Sequence, residues 1–339
     1  VIHQPAGREF LMDVGVATMD AAEIARRKTE VARLWGDWTA HNIHLGGDIY
    51  TIGPDREADK LRRIVQIVSD LAQKPFEQLR ILDLGCLEGG YAIELARRGA
   101  AVMAIEGRQA NLEKVRFAKD VLGLSNLELV QDDVRNLDPA IHGRFDVVLC
   151  LGLLYHLDVP EVFSFVHQIA EGCDGFAIFD TYVGVGSLQR FEYRGHEYWG
   201  RVIREHLPQS SKEERLESKW ASLDNPNSVW IAHNSLYNLL GDAGFTTAYE
   251  CNVPVELEKP GDRLTVVAMK GKAQPILAMP RANGSPMGRL PREERRSYSR
   301  KQQFWPVTQE RLTNLVPLAW RQSIKRRLAA SSDRRTPPT

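Results

Sequence analysis

Four cysteines in 339 residues, at Cys86, Cys150, Cys173 and Cys251, stand too far apart for the paired spacing of a zinc site or a dense disulfide framework. Reduced thiols in an intracellular chain are the expectation, and no metal ligand cluster is visible. Long apolar runs are also missing. Nothing approaches the roughly 18 residues of a membrane span, and no charged-then-apolar signal segment opens the sequence, so cytoplasmic placement is expected. Net charge is absent as well, with 44 Lys plus Arg against 44 Asp plus Glu. The average charge therefore does not point to nucleic acid or to an acidic partner. No internal repeat suggests a solenoid.

The zero average hides an asymmetry. Residues 271–339 hold 15 Lys plus Arg against 4 Asp plus Glu, and residues 1–270 hold 29 against 40. A basic tail on an acidic body can meet phosphates or an anionic lipid surface, or can pack on the body as a solvated arm. A helix expected over 308–330, with Leu312, Leu315, Leu318, Trp320 and Ile324 beside Arg321, Lys325, Arg326 and Arg327, makes peripheral contact with the inner membrane face one expectation for this tail.

With 43% hydrophobic and 26% charged residues, the chain has the material for a sizeable core. Apolar positions recur at helical spacing over 20–35 and again after Pro54, where Leu61, Ile64, Val65, Ile67, Val68 and Leu71 form one stripe. Between them lies a segment dense in Trp, His and Gly, 35–47, read as an ordered loop against a ligand. From Leu79 the pattern changes to short apolar runs at 80–84, 101–105, 127–130, 145–151 and 175–179, separated by helical stretches. Strands alternating with helices predict βαβ units and a parallel sheet. Two further strands are expected at 247–253 and 264–269, after a helix over 235–243 closed by Gly244.

A long insert, 181–230, holds Tyr182, Phe191, Tyr193, His196, Tyr198, Trp199, Trp220 and Trp230, lacks strong strand periods, and reads as a lid or substrate-binding element. Residues 274–299, rich in Pro, Gly and Arg, read as a linker. The expected organisation is a helical lid or brace over 1–73, an α/β domain over 74–270 with its insert, and a basic linker and helix over 271–339.

After the first predicted strand comes Asp83-Leu84-Gly85-Cys86-Leu87-Glu88-Gly89-Gly90, then a helix over 91–98. Glycines at a strand-to-helix turn let the backbone approach a ligand, and the helix N-terminus behind them supplies free N–H groups. Glu106 ends the second strand 23 residues after Asp83, near the offset at which an acidic side chain meets a ribose. Asp83 and Glu88 flank the turn, and the three-glycine spacing of the dinucleotide fingerprint is absent. A pyrophosphate would be repelled there, whereas a sulfonium and an ammonium would be attracted. S-adenosylmethionine (SAM) fits that charge pattern and NAD does not.

Ile81 to Gly90, Ile105-Glu106-Gly107, Asp132-Asp133-Val134 and Phe145-Asp146-Val147-Val148-Leu149 resemble the successive motifs of class I SAM-dependent methyltransferases. The resemblance implies a Rossmann-like α/β fold with a seven-stranded, mostly parallel sheet whose last strand is antiparallel, here with a helical N-terminal lid and a basic C-terminal extension. It also implies that the backbone around Gly85, Cys86 and Gly89 holds the methionine part and that Glu106 takes both ribose hydroxyls, beside Asp83, which the charge pattern marks as a cofactor-binding acid. Asp133 would meet the adenine amino group, Val134 would present its backbone to the ring, and Leu151 would lie beside the cofactor.

Gly152-Leu153-Leu154-Tyr155-His156-Leu157, residues 38–53 around His41-Asn42-Ile43-His44-Leu45, and residues 230–236 resemble a narrower branch. That branch includes the tRNA wobble-uridine 5-oxyacetic acid transferases and bacterial methyltransferases of small molecules and saccharides. Leu157-Asp158 stand where the tRNA enzymes carry basic residues, and the acidic body disfavours RNA.

In-line methyl transfer asks the protein mainly for alignment in a water-poor cleft. A hydroxyl acceptor also needs a base, for which His is the usual candidate. His156, just past the fourth strand, is the first choice, against the alternative that Tyr155 and His156 shape the pocket floor. His41 and His44 follow, against hydrogen bonding within a structural loop. The expected function is SAM-dependent O-methylation of a small molecule or saccharide. The alternatives are a tRNA wobble-uridine transferase, with nucleic acid as partner, and a non-catalytic scaffold that keeps the fold.

Overall fold

The computed structural model describes residues 19–54, 58–256, 259–285 and 287–291. The chain divides into two compact units, of which the first takes 1–257 and 262–292. The second, 258–261 and 293–339, lies almost wholly outside the described residues, and with it the helix expected over 308–330 and the basic tail.

In chain order the elements are α1 (Ala21–Trp35), β1 (His44–Gly46), β2 (Ile49–Tyr50), α2 (Asp59–Ala72), β3 (Arg80–Leu84), α3 (Gly90–Arg97), β4 (Ala101–Ile105), α4 (Gln109–Val121), β5 (Leu127–Val130), α5 (Pro139–His142) and β6 (Phe145–Leu151). There follow α6 (Glu161–Gly172), β7 (Cys173–Tyr182), β8 (Gln189–Tyr193), β9 (His196–Arg204), α7 (Lys212–Glu217), β10 (Asn227–Ile231), α8 (His233–Asp242), β11 (Thr247–Glu250) and β12 (Arg263–Met269). Seven strands form one sheet in the order β11-β12-β7-β6-β3-β4-β5. The pairs from β5 to β7 are parallel, while β12 runs antiparallel to both β7 and β11. This is the Rossmann-like sheet that the resemblance implies, and its parallel part is what the alternation of apolar runs and helical stretches predicts.

Those runs are continuously apolar because both faces of the sheet are covered. Ile81, Val147, Leu149, Phe176, Ile178 and Val267 face one core with α1, α2, α3 and α4, where Ile24, Ile64, Val68, Ala92, Ile93, Val115 and Phe117 are buried. Their neighbours Leu82, Leu84, Val148, Cys150, Ala177, Phe179 and Val266 face the other core, with Phe163, Phe165, Val166 and Ile169 of α6 and Leu236, Leu239 and Leu240 of α8. The period-two alternation of a strand thus feeds two hydrophobic layers. The stripe predicted on α2 packs on the first, with Ile64, Ile67 and Val68 buried and Val65 partly so.

The insert departs from the expectation. It is a three-stranded antiparallel sheet, β10-β9-β8, whose first hairpin turns at Arg194 and Gly195, both with positive φ (50° and 77°), as a tight two-residue turn requires. β8 and β9 leave no apolar run in the sequence because they are half exposed and carry Arg190, Glu192, Glu197, Arg201 and Arg204, while β10 is a short segment buried from Ser228 to Ile231. Two backbone hydrogen bonds dock the sheet: Val229 N–H donates to Leu157 O (2.9 Å) and Gly184 N–H to Ile231 O (2.9 Å). The end of the described chain also differs from a plain linker. Leu290 exchanges two hydrogen bonds with the Asn238 side chain, and Arg289 pairs with Asp242, which pins 289–290 to α8.

Gly184 has no room for a side chain. A Cβ there would lie 2.3 Å from the Trp230 carbonyl oxygen and 2.9 Å from the Arg201 nitrogen. Gly184→Ala must push the insert away from the main sheet, at a cost of about 1–3 kcal/mol. Thermal unfolding should show a fall of several degrees in Tm; an unchanged Tm would mean that the insert yields freely.

Candidate active site

The loop leaving β3 is built from unusual backbone. Gly85 (φ 62°), Leu87 (φ 53°) and Gly89 (φ 79°) all lie in the left-handed region, where Leu87 pays strain that glycine avoids. At Gly85 a Cβ would meet the Leu153 side chain at 3.2 Å, and at Gly89 it would meet Val115 at 2.6 Å. Both glycines are therefore favoured by φ, and Gly89 by close approach as well.

Asp83 is buried, and its Oδ2 has no hydrogen-bond partner among the described residues. Burial pushes its carboxyl up to about 7; the Ala92 N–H opposes the shift and the negative Glu106 adds to it. Glu106 is also buried, with Oε2 accepting from Leu87 N–H (2.9 Å) and Oε1 from Arg108 N–H (2.9 Å). Asn111 Nδ2 also donates to Oε1 (3.3 Å), so Oε2 is the oxygen that keeps a lone pair for a further donor. Burial raises this carboxyl too, against the Arg108 backbone and side chain and the Leu87 N–H.

Glu88 behaves differently from the sequence argument. Instead of facing a ligand, its fully buried carboxylate accepts from the N–H groups of Thr39 (2.9 Å), Ala40 (2.8 Å) and His41 (3.0 Å), and from Lys114 Nζ (3.2 Å). Burial raises its pKa, but these donors outweigh that and the net shift is downward. The Glu88 charge is thus spent inside the protein, which leaves Asp83 as the acid that gives the turn its preference for a cation. Asp133 keeps its place after β5, where it caps the short turn Val134–Asn136, and its carboxylate is shared with Arg135 (3.0 Å to Nε). Val134 is buried beneath it, and Leu151 packs partly buried at the end of β6. Asp83, Gly85, Cys86, Gly89, Glu106, Val134 and Leu151 therefore lie at or just past the carboxyl ends of β3, β4, β5 and β6, where open α/β sheets bind ligands.

His156 sits at the same edge, on the short turn Leu154–His156 after β6. Its Nδ1 lies 3.1 Å from Glu205 Oε2. Around it Tyr155 lies edge-on to Tyr182 (4.9 Å between centroids) and Tyr182 stacks on Trp230 (4.6 Å). Trp230 is buried with its indole N–H unpartnered among the described residues. Beneath the tyrosines, buried Asp180 accepts from Lys60 Nζ (2.7 Å), Arg263 Nε (2.7 Å) and Thr265 Oγ1 (2.9 Å). Burial alone would raise Asp180, yet Lys60 and Arg263 push it down to about 2.

The other two histidines serve the scaffold. Gly90 N–H donates to His41 Nδ1 (3.0 Å), so this ring caps the first turn of α3. His44 Nε2–H donates to the Gly47 carbonyl (2.7 Å), and its own carbonyl meets Arg97 at the far end of α3. Seven residues of helix, about 10 Å, separate that point from Gly90, and His44 is not brought together with the others. Glu205, Asp180, Lys60 and Arg263 carried no local signal; Glu205 is 49 residues from its histidine. Among the described residues no group of His, Cys, Asp and Glu could hold a metal ion, the four cysteines are free, and no helix is long and apolar enough to cross a membrane.

A family model described as a methyltransferase domain matches residues 81–173. The ubiquinone biosynthesis O-methyltransferase of Acinetobacter baylyi is 27% identical over 185 residues, covering 55% of this chain and 72% of that protein. Its counterpart from Azotobacter vinelandii is 39% identical over 88 residues, 26% of this chain and 37% of the relative. Among solved structures, the N-terminal domain of EvdMO1 with S-adenosylhomocysteine (SAH) bound is similar with a TM-score of 0.58 and 28% identity, over 76% of this chain and 100% of that one. The same domain in the presence of SAH and D-fucose gives 0.57.

Sheet order, turn and similarities together define a class I methyltransferase. The chain is a SAM-dependent enzyme of that class. Its own residues fit the cofactor: a buried acid at Asp83 whose Oδ2 has no partner among the described residues, a turn that brings two glycines in the left-handed region to the sheet edge, and a lone pair left on Glu106 Oε2.

Glu88→Ala would leave three backbone N–H groups buried without a partner and the Lys114 ammonium with no counter-charge, held by the Asp37 carbonyl (2.6 Å). Breaking a buried pair in this way costs about 3–5 kcal/mol, to be read from urea unfolding. Because the folded Glu88 pKa is lowered, its contribution is present above the ordinary carboxylate range and lost as pH falls through the folded value. The variant should therefore lose most relative stability near neutrality and least in acid.

Proposed function

We propose that this enzyme methylates a hydroxyl group of a small molecule or saccharide, with His156 as the group that takes the hydroxyl proton. The single observation that carries the reading is the placement of His156. It stands at the carboxyl edge of the sheet with Nδ1 on an acid and Tyr155 against its ring (4.3 Å between centroids), and Tyr155 in turn packs on Tyr182 and Trp230. No hydrogen bond is seen at its Nε2 among the described residues. SAM supplies an electrophilic methyl group on a sulfonium. Asp83 would hold the ammonium of the methionine part, the backbone of Gly85, Cys86 and Gly89 would pass beside it, and Glu106 would accept from the ribose diol. Asp133 and Val134 would border the adenine, and Leu151 would pack beside the cofactor. The aromatic wall excludes water and offers ring faces on which the apolar side of a sugar or a phenol can lie. Support for the acceptor class comes from the relatives, which include O-methyltransferases and a domain studied with D-fucose. The tRNA-modifying and scaffold alternatives find no support among them and are set aside.

Activity is tested by following SAH release with a panel of 6-deoxyhexoses, D-fucose among them, and of catechols. His156→Ala should lower kcat by about 10²–10⁴-fold on whichever acceptor turns over, with SAM affinity little changed. Equal turnover by the variant would remove His156 from the reaction.

Asp83 gives a second test. A carboxyl near pKa 7 is half protonated at neutrality, and a cationic ligand favours its ionised form. Below pH 7 binding must therefore release a proton, and Kd should rise by up to about tenfold per unit of falling pH, levelling above 7. Titration calorimetry with SAM from pH 5.5 to 8.5 checks this, and Asp83→Asn should both weaken binding and flatten the curve.

A further inference from the structure

We propose that Glu205, at the start of the segment that follows β9, is a positioning residue that fixes the tautomer and direction of the His156 ring. The proposal rests on His156 acting as the base and extends it by naming what holds the base ready.

Glu205 is tied on both oxygens. Oε1 accepts from Ser228 Oγ (2.5 Å), and Oε2 accepts from Ser222 N–H (3.0 Å) and faces His156 Nδ1 (3.1 Å). No atom of its side chain is exposed, whereas the His156 side chain keeps 15% of its surface open. Burial raises the Glu205 carboxyl, but His156, Ser228 and Ser222 outweigh it and the group is held ionised. An ionised carboxylate only accepts, so the ring proton must sit on Nδ1 and the Nε2 lone pair is left for a substrate hydroxyl. Transfer would move the hydroxyl proton to Nε2 as its oxygen forms the new bond to the methyl carbon and the carbon–sulfur bond breaks. The imidazolium so formed is balanced by Glu205. The carboxylate comes from the insert and the imidazole from the main sheet, so the pair exists only while the insert is docked. Docking is secured beside it: Asn225 Nδ2 donates to the His156 carbonyl (2.9 Å), and Arg108 Nη2 donates to the Ser222 carbonyl (3.1 Å).

The test does not need the acceptor. Nitrogen-15 spectra of the histidine-labelled enzyme at pH 8.5, with the His156 signal assigned by His156→Gln, should show the proton on Nδ1. In Glu205→Ala that preference should be lost. In Glu205→Gln it should survive, because the amide oxygen can take the place of Oε2 while its NH₂ faces Ser228, whose hydroxyl can turn to accept. With an acceptor in hand, Glu205→Ala should lower kcat by about 10²-fold and leave KM within twofold, and Glu205→Gln should fall between it and the native enzyme. A proton on Nε2 in the native enzyme, or an unchanged tautomer in a folded Glu205→Ala, would overturn the proposal. If the tautomer behaves as expected while no hydroxyl is methylated, the O-methylation reading fails and the positioning of His156 stands.

Discussion

One buried carboxylate fastens the active-site edge together. Glu88 leaves the glycine turn and collects three consecutive backbone N–H groups from residues 39–41 together with the Lys114 ammonium. A charge with no exposure can persist only when it is met by donors on every side. That demand fixes the chain entering from α1 against the turn that follows β3. His41 is then placed to cap α3, and the cap in turn fixes the direction in which the first helical N–H groups point. The pocket wall on the cofactor side is therefore a consequence of solvation rather than of apolar packing alone.

The sheet was legible because its central strands are buried on two faces and write short, mostly apolar runs. Residues 80–84, 101–105, 127–130 and 145–151 are observed at those bounds. The insert was not legible as a sheet, since a half-exposed strand rich in Arg and Glu leaves only a faint alternation. The same logic separates the site residues. Asp83, Gly85 and Glu106 could be named because they stand at fixed offsets along local βαβ units. The role of Glu88 could not, because a carboxylate beside a glycine turn looks the same in sequence whether it faces a ligand or the N-terminal loop. Glu205, Asp180 and Arg263 become neighbours of Tyr155 and His156 only after crossover and docking.

Division of labour follows from this geometry. The β3–α3 and β4–α4 turns carry the acids suited to the cofactor, β6 delivers the histidine, and the insert brings the aromatic face and the second acid. Beneath them the Asp180, Lys60 and Arg263 cluster is held by mutual charge, with the Arg263 guanidinium 5.0 Å from the Tyr182 ring. The tyrosines thus rest on an ionic floor, which restrains their tilt more firmly than an apolar support would.

Arg108 has a consequence for how such an enzyme could diversify. Its backbone touches Glu106, while its guanidinium grips the carbonyls of Leu216, Ser218, Ala221 and Ser222. Because the grip reads only main chain, the side chains of that stretch are free to vary without loosening it. Point changes on the exposed side chains of that stretch can therefore accumulate while its attachment to the β4–α4 turn persists.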